Sequence, residues 1–255
     1  MKIIVKESIL QGFDSSDGML SLPKECRRLR FDVGLSENAP QSEVWLSEYP
    51  DLYVIGFEPN PISCAKIINQ SSSWPIKLSK VNKSRFLLLN IGLGPKKIDS
   101  VNFYVTKSDP GQSSFLMPKG IEVENIVKVP IQTLDEICDS ILWDNIPFVE
   151  YLKTDCQGYD LEVLKGSVEV LKKRVIFCTA EPSKGQYVGE SNSLIDLVNF
   201  MATLEFDYVN PKWNFFTRIK YRKIMKYLNV DDPTFINRRF YQEFMNHPFS
   251  IFQKG

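Results

Sequence analysis

Five short apolar runs, each ending at a turn or a polar residue, limit the fold of this 255-residue sequence more than any other feature. They cover residues 29–33, 53–57, 86–89, 148–152 and 175–180. Runs of this length are typical of strands that are buried on both faces of a parallel sheet. Because 43% of the residues are hydrophobic, the chain can bury a sizeable core, and general disorder is excluded.

Helical patterns separate these strands. Thr133 and Glu136 form a capping box at the start of one helix, and Ser193 with Asp196 predicts the start of another. Apolar side chains at positions 161, 164, 168 and 171 predict a single further helix after Gly158. Strands that alternate with helices indicate an α/β fold, with helices on both faces of a mostly parallel sheet.

Residues 91–130 interrupt this alternation. Residues 101–106 alternate like a β-strand, and a turn follows at residues 109–111, so we expect an inserted β-hairpin whose loop ends in residues 112–115. Three regions follow from these patterns: an N-terminal extension over residues 1–28, a core over residues 29–210 and a C-terminal segment over residues 211–255.

The C-terminal segment is basic and aromatic. Residues 211–255 carry a net charge of +6, whereas residues 1–210 carry −6. Residues 213–228 fit three interpretations: an amphipathic helix packed on the sheet edge, a lid that covers a substrate, or a contact with a membrane surface or a nucleic acid. Residues 248–253 are candidates for a final antiparallel strand. The zero net charge of the whole chain predicts no nucleic-acid partner.

Histidine and cysteine are used sparingly. The single histidine, His247, excludes a metal site built on a pair of histidines, so a base must come from another residue type. The five cysteines are widely spread and form no C-x-x-C pair, which predicts reduced, mostly buried thiols. No signal peptide and no apolar run of about 20 residues is evident, so we expect a cytoplasmic protein.

Polar residues stand at the ends of the predicted strands. In open parallel sheets, ligands bind beyond the carboxyl ends of the strands, so these residues are the candidates for a site. They are Asp32 and Gly34, Glu58 to Asn60, Asn90 and Ile91, Asp155 and Gln157, and Glu181. An acidic residue accompanies four of the five strands, and this recurrence favours a common functional role.

The first loop and the second acidic residue indicate a nucleoside cofactor. Gly34 suits a close-approach turn, and Glu58, 26 residues after Asp32, suits hydrogen bonds from ribose hydroxyls. The G-x-G-x-x-G pattern is absent, and we expect Glu37 to repel a phosphate, which disfavours a nicotinamide-dependent oxidoreductase. S-adenosylmethionine, which has no phosphate and carries a cationic centre, fits better. The expected cofactor-binding residues are Asp32, Gly34, Ser36, Glu58, Pro59, Asn60, Asn90 and Ile91.

Several motifs together resemble the FkbM family of S-adenosylmethionine-dependent methyltransferases. They are Phe31-Asp-Val-Gly34, Gly56-Phe-Glu-Pro-Asn60, Thr133-Leu-Asp135, the block from Leu152 to Gly166 and the Ser-Ser pair at 113 and 114. The resemblance spans about residues 29–185. It implies the class I methyltransferase Rossmann-like fold, with a seven-stranded, mostly parallel sheet whose last strand is antiparallel. It also implies methyl transfer to hydroxyl oxygens, often of sugars or natural products.

Asp155 and Glu181 are the candidate catalytic bases, because they end adjacent strands and no histidine lies in the core. Mg²⁺ held by these two carboxylates is a weaker alternative, and we expect no metal. The expected substrate-binding residues are Ser113, Ser114, Lys153 and Gln157. Structural alternatives remain open: Asp155 as the cap of the next helix, Glu181 as the partner of a lysine, Asp32 as an acceptor within its own loop.

We therefore expect an O-methyltransferase that acts on a hydroxyl of a small acceptor, most simply a sugar of a glycan or glycolipid precursor. A methyltransferase for a non-sugar metabolite is one alternative. A nucleoside-binding module without turnover is another, and retention of both Asp155 and Glu181 argues against it.

Overall fold

The structure is a computed structural model that describes residues 14–16, 19–143, 146–190, 192–209, 219 and 232–246. Its strands are β1 (Asp14–Ser16), β2 (Met19–Ser21), β3 (Arg28–Val33), β4 (Leu52–Phe57), β5 (Phe86–Leu89), β6 (Gly92–Leu93), β7 (Ile98–Thr106), β8 (Val123–Gln132), β9 (Ile141–Leu142), β10 (Val149–Thr154), β11 (Val175–Ala180), β12 (Phe206–Val209) and β13 (Thr234–Asn237). Its helices are α1 (Pro40–Glu48), α2 (Pro61–Asn69), α3 (Leu134–Asp139), α4 (Asp160–Lys165), α5 (Val168–Lys173), α6 (Leu194–Thr203) and α7 (Arg238–Asn246).

A seven-stranded sheet forms the centre of the fold, in the order β12-β13-β11-β10-β3-β4-β5. The neighbours from β11 to β5 pair in parallel. Strand β13 pairs antiparallel with both β11 and β12. The predicted α/β class is confirmed, and the sheet is mixed. The antiparallel strand is Thr234–Asn237; residues 248–253, expected to supply it, lie outside the described residues.

The apolar runs form strands because both sheet faces are covered. Every residue of β3, β4, β5 and β11 is buried. Successive side chains of a strand point to opposite faces, so Phe31 joins a core with Leu197 of α6, whereas Val54 joins a second core with Trp45 of α1 and Phe240 of α7. A fully buried side chain of this kind stabilises the fold by about 1.5–3 kcal/mol.

Two predicted helix starts are confirmed, and one predicted helix is wrong. The capping boxes that open α3 and α6 are both present. The single helix expected across positions 161–171 is divided into α4 and α5 at Gly166 and Ser167. The reason is a backbone contact, since a Cβ on Gly166 would lie 1.9 Å from the carbonyl oxygen of Gly94. The Asp135 carboxylate then accepts hydrogen bonds from the first amides of α5, at 2.8 and 3.0 Å.

The inserted hairpin is present as the antiparallel pair β7–β8, and β6 pairs with β8 to complete a small sheet. The loop between the two long strands folds back, because Tyr104 and Ser114 form an isolated bridge. Phe115 then packs against Gly92, where a Cβ would lie 2.3 Å from its ring, and against Phe103 at a centroid distance of 5.0 Å. These contacts place the loop beside the carboxyl end of the central sheet.

All five cysteines are free, and four of them are buried, which confirms the prediction of unpaired thiols. No described helix is long and apolar enough to cross a membrane. His247 and residues 213–228, apart from Ile219, lie outside the described residues. The interpretations of that segment as a packed helix, a lid or a membrane contact therefore stay predictions.

Candidate active site

A cleft of about 460 Å³ opens at the carboxyl ends of β3, β4 and β10. It lies where the strand order reverses, between β3 and β10, and its size is typical of small-molecule sites. Nine of the residues expected from the sequence line it: Asp32, Gly34, Ser36, Glu58, Pro59, Ile91, Ser113, Lys153 and Asp155.

Five other expected residues lie outside this lining: Asn60, Asn90, Ser114, Gln157 and Glu181. Asn60 caps α2, where its side chain accepts the amide of Ile62 at 3.0 Å. Asn90 donates to the carbonyl oxygens of Glu58 and Pro59 at 2.8 and 3.1 Å. Both asparagines therefore stabilise the loop that carries Glu58 from outside the cleft.

Gly34 joins the ends of three strands. Its amide donates to the carbonyl of Phe57 at 3.0 Å, and the amide of Asp155 donates to the carbonyl of Val33 at 3.0 Å. Its φ is +84°, and a Cβ at this position would lie 2.0 Å from the carbonyl oxygen of Asp155. Only glycine meets both demands.

Asp32 is buried at the floor of the cleft, with 1% of its surface exposed. Its Oδ2 accepts a hydrogen bond from Ser42 of α1 at 2.6 Å. Its Oδ1 has no hydrogen-bond partner within the described part of the chain, and Lys153 Nζ lies 3.7 Å away. Burial raises the pKa of Asp32, although Lys153 and Ser42 oppose this shift. An unsatisfied buried acceptor at a cleft points to a donor on a ligand.

Glu58 is also buried, and its carboxylate accepts the amide of Asn60 at 2.8 Å. Burial raises the pKa of Glu58 to about 8, although the amides of Asn60, Ser36 and Leu35 work against this shift. At neutral pH the carboxyl group therefore holds a proton in the free protein. Hydrogen-bond donors on a ligand would favour its ionised form.

The expectation that Glu37 repels a phosphate at the first loop is wrong. Its carboxylate is 2% exposed, pairs with Lys66 and accepts a hydrogen bond from Ser72 at 3.0 Å. Ser36 and Ala39 adopt left-handed φ values of 56° and 48° and turn the chain on either side of Glu37, which directs its side chain toward Lys66 and Ser72. Glu37 lies outside the cleft lining and does not bear on phosphate binding.

Asp155 faces the cleft between two hydrogen-bond donors. Lys153 Nζ lies 3.2 Å from its Oδ2, and Gln157 Nε2 lies 2.8 Å from its Oδ1. Although burial raises the pKa of Asp155, Lys153 and then Gln157 outweigh it and lower this pKa. Burial alone would lower the pKa of Lys153, but the carboxylates of Asp155 and Asp32 have the larger opposite effect, so this pKa lies above its ordinary value. Asp155 is therefore an anion and Lys153 a cation at neutral pH.

Glu181 and Asp155 both contact the side-chain amide of Gln157. Gln157 Nε2 lies 3.3 Å from Glu181 Oε2, and Lys184 pairs with Oε1 of Glu181, so the alternative of a lysine partner is realised. Burial raises the pKa of Glu181, and the charge of Asp155 adds to this shift. The alternative of Asp155 as a helix cap is wrong, because the N-cap of α4 is Tyr159.

Sequence reasoning missed several contributors. Phe103 and Phe115 of the inserted hairpin line the cleft, and Asp232 joins them from just before β13. Asp160 is fully buried, and both of its carboxylate oxygens lie 3.3 Å from the amide of Cys156. Burial raises the pKa of Asp160 to about 7, with the charge of Asp155 adding to the effect. Asp160 lies within the block from Leu152 to Gly166, so the motif itself could have identified it as a candidate site residue. Asp232 lies outside every motif, and no pattern in the sequence points to it.

A metal ion does not fit the described residues. No group of three or more His, Cys, Asp or Glu side chains among them is placed to hold one. The oxygens of Asp155 and Glu181 that could bind Mg²⁺ face Lys153, Gln157 and Lys184 instead. No catalytic step through a metal follows from this arrangement.

Carboxylates and a glycine turn around a cleft at the switch point of the sheet define an α/β protein of the Rossmann-like type. The family model described as Methyltransferase FkbM domain matches residues 45–209, more than half of the chain. The chain therefore belongs to the FkbM methyltransferase family, as its motifs indicated, and is a methyltransferase. It matches no curated protein and no solved structure at a significant level.

Proposed function

We propose that the protein is an S-adenosylmethionine-dependent O-methyltransferase that methylates a hydroxyl of a small acceptor, a sugar of a glycan or glycolipid precursor. Family membership supports methyl transfer. The observation that carries the choice of cofactor is the buried Oδ1 of Asp32, which accepts no hydrogen bond from the described residues and lies in a cleft that Glu58 and Asp155 also line. Carboxyl oxygens in such a lining suit a ligand rich in hydrogen-bond donors.

The residues present fit this cofactor. Asp32 would accept a hydrogen bond from the amino group of the cofactor, and Glu58 would accept hydrogen bonds from the ribose hydroxyls. Gly34 and Ser36 would let the cofactor approach the backbone of the first loop closely. Pro59 and Ile91 offer apolar contacts beside Glu58, and Asn60 and Asn90 hold that loop in place. When bound, the cofactor supplies an electrophilic methyl group on a sulfonium.

Asp155 would orient the acceptor and begin removal of its proton. About 39% of its side chain is exposed at the cleft, and Lys153 keeps it ionised. The acceptor oxygen would form a bond to the methyl carbon as the bond between that carbon and the sulfonium sulfur breaks, and a neutral thioether would be the leaving group. The hydroxyl proton would pass to the pair formed by Asp155 and Glu181. Correct orientation of the hydroxyl can supply about 7–11 kcal/mol, and a general base adds about 10²–10⁴-fold.

The mixed lining of the cleft favours a ring-shaped acceptor with hydroxyls at its edge. Phe103 and Phe115 provide apolar surface, and Ser113 and Lys153 provide polar groups. Ser114 lies behind this surface, where its hydroxyl donates to the carbonyl of Gln157 at 2.9 Å. Ser114 and Gln157 would thus not touch the acceptor; they would hold in place the residues that do.

Titration calorimetry and a methyl-transfer assay together test the proposal. We expect binding of S-adenosylmethionine and of its demethylated product, no binding of NAD, and transfer of labelled methyl to a member of a panel of glycans. Glu58→Gln should weaken cofactor binding, whereas Asp155→Asn should preserve binding and abolish turnover. Binding of NAD alone would contradict the proposal. Transfer only to non-sugar acceptors would contradict the choice of acceptor.

A further inference from the structure

We propose that Asp32 and Lys153 together bind the amino-acid end of S-adenosylmethionine, with Asp32 accepting from its amino group and Lys153 donating to its carboxylate. This inference rests on the proposed function, because it takes the cofactor proposed there as the ligand. It gives Lys153, proposed above as a contact of the acceptor, a second partner on the cofactor side of the cleft. The chemistry recognised is that of an α-amino-acid zwitterion.

The pairing of two strands places these side chains next to each other. Strands β3 and β10 run in parallel, and Asp32 and Lys153 are partners in their register. Partners in neighbouring strands point to the same face of a sheet, and both of these residues line the cleft. A ligand that enters the cleft therefore meets a carboxylate and an ammonium side by side.

Both side chains have hydrogen-bonding capacity left for a ligand. Asp32 Oδ2 accepts from Ser42, but Oδ1 accepts no hydrogen bond from the described residues. An ammonium has three donors, and Lys153 Nζ makes one hydrogen bond within the described part of the chain, to Asp155 at 3.2 Å. The 3.7 Å between Nζ and Asp32 Oδ1 is an ion-pair distance that is too long for a hydrogen bond. One acceptor and two donors therefore remain among the described residues at this point of the cleft.

This arrangement is complementary to an α-amino acid. In such a group the ammonium nitrogen and the carboxylate oxygens lie about 2.7–3.6 Å apart, as standard bond lengths and angles require. The two protein atoms, Asp32 Oδ1 and Lys153 Nζ, have a similar separation of 3.7 Å, so both contacts can be made at once. Each contact joins opposite charges and is a charge-assisted hydrogen bond. A lone amine or a lone carboxylate would use one of the two groups only.

Lys153 is the one lysine or arginine among the described residues that line the cleft. The other charged residues of this lining are the acids Asp32, Glu58, Asp155 and Asp232. A carboxylate that enters such a lining needs a countercharge, because burial of an unpaired charge is costly. Of the described lining residues, Lys153 alone supplies it.

Backbone amides of the first loop are engaged elsewhere. Amides at a tight turn before a helix often bind anions. In this protein the amide of Gly34 donates to the carbonyl of Phe57 at 3.0 Å. The amides of Leu35 and Ser36 contribute hydrogen bonds to the carboxyl group of Glu58. This engagement favours a side chain as the partner of the cofactor carboxylate.

Ligands that differ in one group at a time test the assignment by titration calorimetry. The probes are S-adenosylhomocysteine, which is the demethylated product, its decarboxylated analogue, which keeps the amine, and 5′-methylthioadenosine, which keeps neither group. For the wild type we expect loss of the carboxylate to weaken binding about 10- to 100-fold, the range for a hydrogen bond to a charged group. Equal affinity for the first two probes would overturn the proposal without any variant.

Lys153→Met removes the ammonium and keeps most of the side-chain volume. We expect this variant to bind the first two probes with affinities within about threefold of each other. Effects of the substitution on Asp32 and Asp155 act on both probes and cancel in this comparison. Lys173→Met, at an exposed position on α5, is the matched control and should keep the preference of the wild type. A preference for the carboxylate that survives in Lys153→Met would contradict the proposal. If this variant does not fold, the same fall in preference is expected for Lys153→Gln, and a full preference there contradicts it equally.

Asp32→Asn tests the contact with the amino group. We expect it to weaken binding of both amine-bearing probes about tenfold and to leave the affinity for 5′-methylthioadenosine unchanged. An equal loss for all three probes would mean that Asp32 does not bind the amine, and the proposal would fail on that side.

The wild-type titrations separate this inference from the proposed function. If the wild type does not bind S-adenosylhomocysteine, the proposed cofactor is wrong and the inference falls with it. If the wild type binds this probe without a preference for the carboxylate, the inference alone is wrong and the proposed function stands. Calorimetry requires no acceptor, so the choice of acceptor affects neither result.

Discussion

The α-carbon of Gly34 lies directly against the carbonyl oxygen of Asp155, with room for no further atom between them. A Cβ would be 2.0 Å from that oxygen, well inside the closest approach of real atoms. The contact fixes the turn after β3 against the turn after β10, the two loops that carry the proposed cofactor and acceptor contacts. One glycine therefore sets the distance between the two halves of the cleft.

Gly34→Ala should lower the free energy of unfolding by at least about 3 kcal/mol, because backbone strain and a clash with backbone atoms add together. Gly120→Ala is the matched control: its φ is +72°, but nothing lies within 4 Å of the added Cβ. We expect it to cost only about 1 kcal/mol for the conformation. Urea denaturation measures both values, and equal losses would show that the approach to Asp155 is unimportant.

Cofactor affinity should rise with pH through the ionisation of Glu58. Its pKa in the free protein is about 8, and donors on the ligand favour the carboxylate, so binding below this pH releases a proton. Between pH 6 and 8 we expect affinity to increase by up to about tenfold per pH unit and to level off above pH 8. Calorimetry in buffers of different ionisation enthalpy measures the proton directly. Glu58→Gln should remove the dependence; a dependence that persists in this variant would assign it to another group.

Asp160 should make the free protein less stable as pH rises. Its pKa is about 7 in the folded protein and near 3.8 when unfolded, so the folded state holds the extra proton between these values. Its contribution to stability is complete below about pH 4 and is lost progressively up to about pH 7, on the order of 1 kcal/mol per pH unit. Asp160→Asn should flatten the fall in unfolding free energy over this range. Asp99→Asn, at an exposed position, is the control and should leave the pH dependence unchanged. If the unfolding free energy falls equally with pH in both variants, the dependence does not come from Asp160.

Glu150 should be needed for folding and not for binding. It lies near the amino end of β10, where its Oε2 contacts Arg28 at 2.8 Å and Arg30 at 2.7 Å, all three side chains being buried. Glu150→Gln leaves two buried guanidinium groups with less countercharge and should cost about 3–5 kcal/mol. The exposed pair Glu169–Lys173 is the control, and Glu169→Gln should change nothing measurable. Chemical denaturation compares them; weakened cofactor binding by folded Glu150→Gln would contradict the separation of the two roles.

The strands and the polar residues at their ends could be predicted from the sequence, because both signals are local. Residues 53–57 are apolar in an unbroken run, and Glu58 follows directly, so the strand and its acid are visible together. The same holds for Asp155 after β10 and for the capping boxes before α3 and α6. A sheet with its loops at one edge then brings these acids together.

The rest depended on contacts between distant parts of the chain. The break at Gly166 arises from the backbone of Gly94, which no helical pattern can anticipate. The direction of Glu37 depends on left-handed backbone at Ser36 and Ala39, residues that adopt it only where tertiary structure compensates the strain. Tyr187 reaches Gln157 only once the inserted loop and the loop after β11 have met.

Strand β13 is the last described strand in the chain, yet it occupies an interior position between β11 and β12. Among the described strands, β12 pairs with β13 alone, so until residues 234–237 are in place β12 cannot join this sheet and β11 remains an open edge. A ribosome must therefore release the chain beyond residue 237 before this sheet can close, and until then the unpaired edge of β11 is open to other extended segments. Asp232 enters the cleft in the same event, so assembly of the sheet and completion of the site coincide in time.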